Sequence, residues 1–114
     1  MSTTDQPNGD QQPDIAVAHN PEQHRYELRD GNSVIGFTAY RLAAEERQMV
    51  FVHTEVDPGY EGRGLAQRLA KFALDDVREQ GKRVVPVCSF IAGFLAKDHS
   101  FDDIVDQPQG SGSA

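Results

Sequence analysis

The feature that most restricts the fold of this chain is a change of hydrophobic period across one glycine-rich loop. Residues 48–56 read Gln-Met-Val-Phe-Val-His-Thr-Glu-Val, an apolar and β-branched run typical of a strand. From Leu65 to Gln80 the apolar residues recur with a helical period instead, on one face of an amphipathic helix. A second apolar run, Val84-Val-Pro-Val-Cys88, is typical of a buried parallel strand. Strand, helix and strand in this order predict a β-α-β crossover.

The residues before this unit predict an antiparallel hairpin. Residues 24–29 alternate polar and apolar side chains, Asp30-Gly31-Asn32 is a strong turn signal, and residues 33–41 return as a second strand. Gly36 is a candidate β-bulge inside that second strand. After the crossover, Ser89 to about Lys97 has helical spacing. A hairpin followed by one parallel crossover predicts an α+β (α/β) fold with a mixed antiparallel and parallel sheet.

Length, composition and charge narrow the class of protein. The 114 residues allow one domain, which we place at 24–105 because residues 1–23 and 106–114 are polar and predicted to be disordered. The net charge of −7 argues against a nucleic-acid partner. No apolar run reaches the ~18–20 residues of a membrane span, and the N-terminus does not read as a signal peptide. The single cysteine fits a reduced compartment, which predicts a cytoplasmic protein.

The loop between the third strand and its helix predicts an anion site. Gly62 and Gly64 allow backbone N–H groups to converge on a ligand, and the following helix adds the positive end of its dipole. Arg63 adds a cation that can reach a phosphate. Two alternatives stay open at this point: a tight strand-to-helix turn without a ligand, and a generic phosphate-binding scaffold.

Pro86 indicates where the sheet opens. Proline has no N–H to donate to a ladder, so a proline in an apolar strand marks an edge or a place where pairing is lost. If the neighbouring strand is 48–56, the backbone of Thr54, Glu55 and Val56 is free to hydrogen-bond an extended ligand. The alternative is an ordinary edge strand.

Three segments taken together resemble the GNAT acetyltransferase superfamily, in its minimal single-domain branch. They are His53-Thr-Glu-Val56, Glu61-Gly-Arg-Gly-Leu-Ala66 and Val84-Val-Pro-Val-Cys-Ser-Phe90, in that order. The resemblance implies a GNAT-like acyl-CoA fold and acetyl-CoA as cofactor, with its pyrophosphate on the loop N–H groups and its pantetheine between the splayed strands. The cofactor-binding residues it implies are Thr54, Val56, Glu61, Gly62, Arg63, Gly64, Leu65 and Ala66. Glu61 is expected to contribute only its backbone.

Cys88 is a candidate acetyl acceptor. It ends a buried strand and opens a predicted helix, and a helix N-terminus lowers the pKa of a thiol and makes it more nucleophilic. The alternative is a cysteine that packs as a small hydrophobic residue.

His53 and Glu55 are the candidate proton carriers. The strand period of two places His53 on the face of Phe51 and Glu55. The family pattern favours His53 as the general base or as the partner of Cys88, with Glu55 orienting it or acting as the base itself. The alternative is a histidine bonded to a backbone carbonyl beside a solvated glutamate. No His, Asp and Glu residues show metal-ligand spacing, so no metal is predicted.

The resemblance implies an acetyl-CoA-dependent N-acetyltransferase acting on a primary amine such as a lysine of a protein or peptide. The alternative is a CoA-binding module without turnover that acts through a protein partner. Phe94 favours this alternative, because it stands where the family pattern has a tyrosine that in many members protonates the departing thiolate. His53 together with Cys88 favours the enzyme. Either a monomer or a homodimer is compatible with the sequence.

Overall fold

The structure, a computed structural model, describes residues 15–107. The predicted disorder of residues 1–14 and 108–114 lies outside the described residues. The described chain forms five strands and two α-helices. They are β1 (Ile15–Asn20), β2 (Arg25–Asp30), β3 (Ser33–Ala43), β4 (Gln48–Val56), α1 (Leu65–Glu79), β5 (Arg83–Pro86) and α2 (Ser89–Lys97). Short 3₁₀ turns lie at Pro21–Gln23, Pro58–Tyr60 and His99–Ile104.

The strands form one mixed sheet in the order β1-β2-β3-β4-β5. The first four are antiparallel neighbours, and β5 is parallel to β4 after the α1 crossover. This confirms the α+β fold with a mixed sheet that the sequence predicts. The bulge predicted at Gly36 lies one residue earlier, at Ile35. Val34 pairs with Arg29 and Gly36 pairs with Leu28, so Ile35 is the extra residue. A Cβ on Gly36 would lie 2.9 Å from the carbonyl oxygen of Glu55, so the strands approach too closely there for a side chain.

The core lies on one face of the sheet, where α1 contacts all five strands. The helix begins at Leu65 and buries six side chains, and α2 adds Ile91 and Leu95 to the same core. The buried α1 side chains are Leu65, Leu69, Ala70, Ala73, Leu74 and Val77. Phe72, which the helical period assigns to this face, is 41% exposed because the buried face is centred on Leu69 and Ala73 and leaves it at the flank.

The interpretation of residues 15–23 as part of a disordered arm is wrong. Residues 15–20 form β1, which pairs with β2 over its whole length from Ile15↔Asp30 to Asn20↔Arg25. Ile15 is buried, and the Arg68 guanidinium donates to its carbonyl oxygen at 2.9 Å. Backbone pairing orders this segment although it has few large apolar side chains, and the alternation of Ile15, Val17 and His19 is the signal that identifies it.

The C-terminal boundary also lies further along the chain than predicted. Val105 bridges to Val84, and the Asp106 N–H donates to the carbonyl oxygen of Val84 at 2.8 Å. The Asp106 carboxylate accepts from Gln48 at 2.9 Å and from Arg83 at 2.8 Å. Asp106 is therefore an ordered residue that covers the outer edge of β5, not the start of a disordered tail.

Candidate functional site

The ladder between β4 and β5 ends abruptly. Its last pair is Phe51↔Pro86, and beyond it the Phe51 carbonyl oxygen accepts from both the Val87 N–H at 3.1 Å and the Cys88 N–H at 2.7 Å. β4 continues to Val56, so its last residues have no strand partner on this side within residues 15–107. The two strands separate at the proline, as the sequence predicts.

A cleft of about 610 Å³ occupies this gap and continues to the start of α1. Its lining includes seven of the eight predicted cofactor-binding residues, and Arg63 is the exception. Those seven are Thr54, Val56, Glu61, Gly62, Gly64, Leu65 and Ala66. The sequence interpretation missed Tyr60, Gln67 and Phe90, which also line the cleft; Gln67 and Phe90 follow the two helix starts by one or two residues, which is the signal that places them there.

The glycine loop offers backbone donors to the cleft. Gly62 and Gly64 have φ angles of +82° and +76°, the left-handed region that glycine favours. Apart from the adjacent residues, no atom of residues 15–107 lies within 4 Å of a Cβ built on either glycine, so conformation and not space requires glycine here. Gly64 supplies no side-chain cap to α1, and the first turn of α1 contains no acidic residue. The first N–H groups of α1 are thus available to an anion.

Arg63 is held over the Tyr60 ring, with its guanidinium carbon 5.2 Å from the ring centroid. Its Nη2 also donates to the Gly59 carbonyl oxygen at 3.4 Å. The Tyr60 hydroxyl donates to the Asp30 carboxylate at 2.5 Å, and this hydrogen bond raises the pKa of Tyr60. These contacts anchor the loop to the β2–β3 turn, and they place Arg63 beside the cleft instead of in its lining.

The thiol of Cys88 lies beside a pair of threonines. Cys88 is buried at the N-cap of α2, and its Sγ is 3.2 Å from the Oγ1 of Thr54. Thr54 Oγ1 is in turn 2.8 Å from the Oγ1 of Thr38, which is fully buried. The polar partner of Cys88 is therefore Thr54. Sequence reasoning missed Thr38, because it comes from a different strand.

His53 and Glu55 lie on the opposite face of the sheet from Cys88, so the predicted pairing of His53 with Cys88 is wrong. The prediction assumed an unbroken period of two in β4. Val52 is an extra residue there, since Tyr40 pairs with Phe51 and Ala39 pairs with His53. This bulge keeps Phe51 and Thr54 on the helix face and turns His53 to the other face.

On that face the His53 and Glu55 side chains are 59% and 57% exposed. His53 Nε2 lies 3.4 Å from Glu55 Oε1, as the prediction that Glu55 orients His53 requires. Glu55 also borders the cleft, because it belongs to the unpaired end of β4 that forms one side of the cleft.

A second cleft of about 320 Å³ adjoins the first between α1 and α2. The two share Gln67 and Phe90, and the second is lined further by Phe94 and Lys97. Together the two clefts have room for a ligand that extends beyond the β4–β5 gap. Within the described part of the chain, no three His, Cys, Asp or Glu residues are grouped as metal ligands. No helix among these residues is long and apolar enough to cross a membrane.

Comparison with known proteins places these features in context. The family model for GCN5-related N-acetyltransferases matches residues 25–104. The mouse protein NATD1 is 31% identical over 85 residues, covering 74% of this chain and 76% of that protein. The bovine protein NATD1 is 46% identical over 46 residues, which is 40% of this chain and only 41% of the bovine protein. A solution structure of a GCN5-like protein from Staphylococcus aureus, 20% identical, has the same fold with a TM-score of 0.64, covering 86% of this chain and 94% of that one.

Proposed function

This chain belongs to the GCN5-related N-acetyltransferase family, and we propose that it binds acetyl-CoA and transfers the acetyl group to a primary amine. The observation that carries the proposal is the continuity of the β4–β5 gap with the start of α1, in one cleft of about 610 Å³. An extended arm fits the gap, and a pyrophosphate fits the N–H groups at the helix start. When bound, acetyl-CoA supplies an activated acetyl thioester.

The binding roles follow from the lining of the cleft. The N–H groups around Gly62 and Gly64 and at the start of α1 hold the pyrophosphate, helped by the helix dipole. The unpaired backbone of β4 at Thr54 to Val56 offers hydrogen bonds to the amides of the pantetheine arm, as an added strand would receive. Glu61 contributes its backbone, because its carboxylate would repel a phosphate.

The reacting groups lie on both sides of β4. Cys88 and Thr54 border the helix face, where the thioester would lie, whereas His53 and Glu55 are accessible from the opposite face. An acceptor amine approaching from that opposite face meets His53, which takes the amine proton, and Glu55 orients the imidazole. A hydrogen bond between the Thr54 hydroxyl and the Cys88 sulfur fixes the position of the thiol.

Two routes fit this arrangement. In the first, the Cys88 sulfur attacks the thioester carbonyl, the bond from the carbonyl carbon to the CoA sulfur breaks, and the Cys88 thiol proton passes to the departing CoA thiolate; the amine then takes the acetyl group, and the cysteine sulfur takes a proton from solvent. In the second, the amine attacks the thioester directly, the CoA thiolate leaves and takes a proton from solvent, and Cys88 packs against the acetyl group.

The proposal predicts that acetyl-CoA raises the melting temperature. At a ligand concentration near 100 times Kd the stabilisation is about 2.7 kcal/mol, or roughly 10–20 °C for a domain of this size. Gly64→Val should abolish this shift, since a branched side chain at φ +76° distorts the loop that binds the phosphates. Intact mass after incubation then shows whether the parent protein carries an acetyl group on Cys88 and passes it to a lysine peptide.

Gly81→Val is the matched control. Gly81 also has a positive φ, of +73°, and no described atom outside its chain neighbours within 4 Å of a built Cβ, but it follows the C-terminal end of α1, whereas the cleft lies at the helix start. Both variants should melt earlier than the parent, and only Gly64→Val should lose the shift with acetyl-CoA. A full shift in Gly64→Val would refute the phosphate site. Binding without acetyl transfer to any amine would favour the module without turnover, for which the apolar Phe94 beside the cleft is the supporting observation.

A further inference from the structure

One face of the sheet is not covered by a helix within residues 15–107. The buried side chains of α1 and α2 belong to a single core on the other face. The strand registers identify the residues that alternate away from this core. We use the name open face for one part of this surface: Arg25, Glu27 and Arg29 on β2, Phe37, Ala39 and Arg41 on β3, and His53 and Glu55 on β4. Beside Arg41 the same face continues with Val50 and Val85, which are buried.

The open face carries positive charge in an acidic protein. The open face contains three arginines and two carboxylates and so has a net positive charge, whereas the whole chain has a net charge of −7. Glu27 is buried and accepts from Arg25 at 2.7 Å and from Arg29 at 2.6 Å, so it holds both guanidinium groups in place. Burial opposes ionisation of Glu27, but hydrogen bonds from Asn20, Arg25 and Arg29 lower its pKa to about 2.

Arg41 adds a further charge to this face. It is exposed and forms no ion pair with any residue in the described range 15–107. Among the described residues its positive charge is not shared with a carboxylate, whereas those of Arg25 and Arg29 are both shared with Glu27.

One row of residues on the open face, which we call the trough, leads toward the proposed reacting groups. It consists of Arg25, Ala39 and His53, which pair across β2, β3 and β4, and the small Ala39 methyl lies between two larger side chains. Phe37 lies beside this row, with the Arg25 guanidinium 5.0 Å from its ring centroid and the His53 ring 5.8 Å away. Since His53 directly precedes Thr54, the trough ends at the β4–β5 gap.

We propose that the open face binds an acidic polypeptide segment that presents the acceptor amine. The segment lies along the trough with its amine at His53 and its Asp or Glu side chains against Arg25 and Arg41. This inference rests on the proposed function and names the substrate class of that site. A charged surface of this kind sets specificity and association rate more than raw affinity.

A polypeptide fits this surface better than a nucleic acid does. A strongly bound nucleic acid needs many phosphates neutralised, and here only three arginines are present, two of which share Glu27. The apolar methyl of Ala39 and the ring of Phe37 suit side chains and backbone of a peptide. A small free amine would reach His53 without making any contact with Arg25 or Arg41.

The test uses three fluorescent decapeptides with blocked ends and a single lysine each, in which the other residues are mainly Glu, mainly Gln or mainly Arg. Binding is measured by anisotropy with saturating CoA. The Glu peptide should bind most tightly and should weaken as salt rises. Arg41→Glu should weaken binding of the Glu peptide about tenfold, since it replaces an attractive charge beside the trough with a repulsive one. Lys71→Glu is the matched control: it changes net charge equally, but on α1, and it should leave binding unchanged.

Several results would overturn the inference. Equal binding of the Glu and Gln peptides, or no binding of either up to millimolar concentration, would exclude an acidic acceptor surface. A single-stranded DNA decamer that binds as tightly as the Glu peptide would show a general polyanion site. A dimer of the chain dissociated by Arg41→Glu would make the open face a self-interface. The melting shift with acetyl-CoA is measured on the same variants. If acetyl-CoA gives no shift, the proposed function is refuted. If acetyl-CoA gives a shift but the protein shows no preference for the Glu peptide, only this inference is refuted.

Discussion

The two ends of the sheet differ in how completely their polar groups and strands are paired. At the packed end, which we define by His19, Tyr26, Tyr40 and Asp76, polar groups are paired and rings are stacked. Tyr26 donates to Asp76 at 2.6 Å, His19 lies 2.7 Å from the Tyr40 hydroxyl, and the His19 and Tyr26 rings stack at 4.2 Å. At the gap end, β4 loses its neighbour and a cleft replaces packing.

This difference separates stability from binding within one small domain. β3 and β4 run through both ends, so the packed end holds in place the strands whose other ends are left unpaired. Regions with few buried contacts open most easily, and binding sites are drawn from them. The packed end should therefore determine unfolding, and the gap end should determine ligand affinity.

The largest effect is expected from removing the outer strand of the packed end. Deleting residues 1–20 removes β1, which exposes the edge of β2 and takes away Ile15 and His19. The loss should be several kcal/mol, a large part of the roughly 5–15 kcal/mol of a typical domain. Urea unfolding followed by circular dichroism measures it. Deleting only residues 1–14 is the control and should leave the midpoint nearly unchanged; equal midpoints for both deletions would mean that β1 adds no stability.

A matched pair of tyrosines gives an intermediate effect. Tyr26 and Tyr60 each donate a hydrogen bond to a carboxylate, at the packed end and at the cleft respectively. Tyr26→Phe should cost about 1–3 kcal/mol, because it removes a hydrogen bond from a buried hydroxyl to the charged Asp76 carboxylate. That carboxylate then keeps the bond from Gln80 and the contact with His19. Tyr60→Phe should cost clearly less than Tyr26→Phe, because the Tyr60 hydroxyl lies at the surface and water can replace its partner. Acetyl-CoA affinity should show the reverse order, since Tyr60 anchors the glycine loop. If Tyr26→Phe and Tyr60→Phe lost the same amount of stability and the same amount of acetyl-CoA affinity, the division between the two ends would be contradicted.

The smallest effect expected is a pH dependence of the packed end. Burial lowers the pKa of His19, and the nearby Asp76 only partly opposes this. The folded protein then binds a proton less readily than the unfolded chain, so stability is full above about pH 6.5 and falls as the pH drops below it. The groups facing His19 are Tyr26, Tyr40, His24, Asp76 and Lys82.

The measurement is the urea midpoint between pH 5 and pH 7. His19→Gln should flatten the slope in this range, whereas the control His99→Gln should keep it, because His99 is 69% exposed. Glu27 is expected to act separately, below about pH 4.5, since its pKa of about 2 lies under the value of an unfolded glutamate. A slope retained in His19→Gln would assign the dependence to another group.

The elements that the sequence predicted correctly are those with strong local signals. The bounds of β4, the hairpin turn and the start of α1 follow from periodicity and glycine, and the opening of the sheet follows from the missing N–H of Pro86. These depend on a residue and its near neighbours. The same holds for the glycine loop, whose positive φ angles are a property of the residues themselves.

The errors concern features that depend on pairing between distant segments. The face of His53 depends on the bulge at Val52, which appears only when β4 is aligned against β3. β1 is ordered by backbone bonds to β2, and these require no conspicuous side chains. Thr38 lies 16 residues from Thr54, and only the register brings the two hydroxyls to 2.8 Å. A period counted along one strand contains none of this information.

The unpaired stretch of β4 also has a consequence for aggregation. It is an exposed edge of a sheet, and such edges readily accept a strand from a neighbouring molecule. Three features limit this here: the stretch covers only the five residues from Val52 to Val56, Glu55 places a charge on it, and Phe90 of α2 lies on the far side of the cleft. A ligand in the cleft would occupy the same hydrogen-bonding groups. The occupied protein should therefore resist self-association in solution better than the empty one.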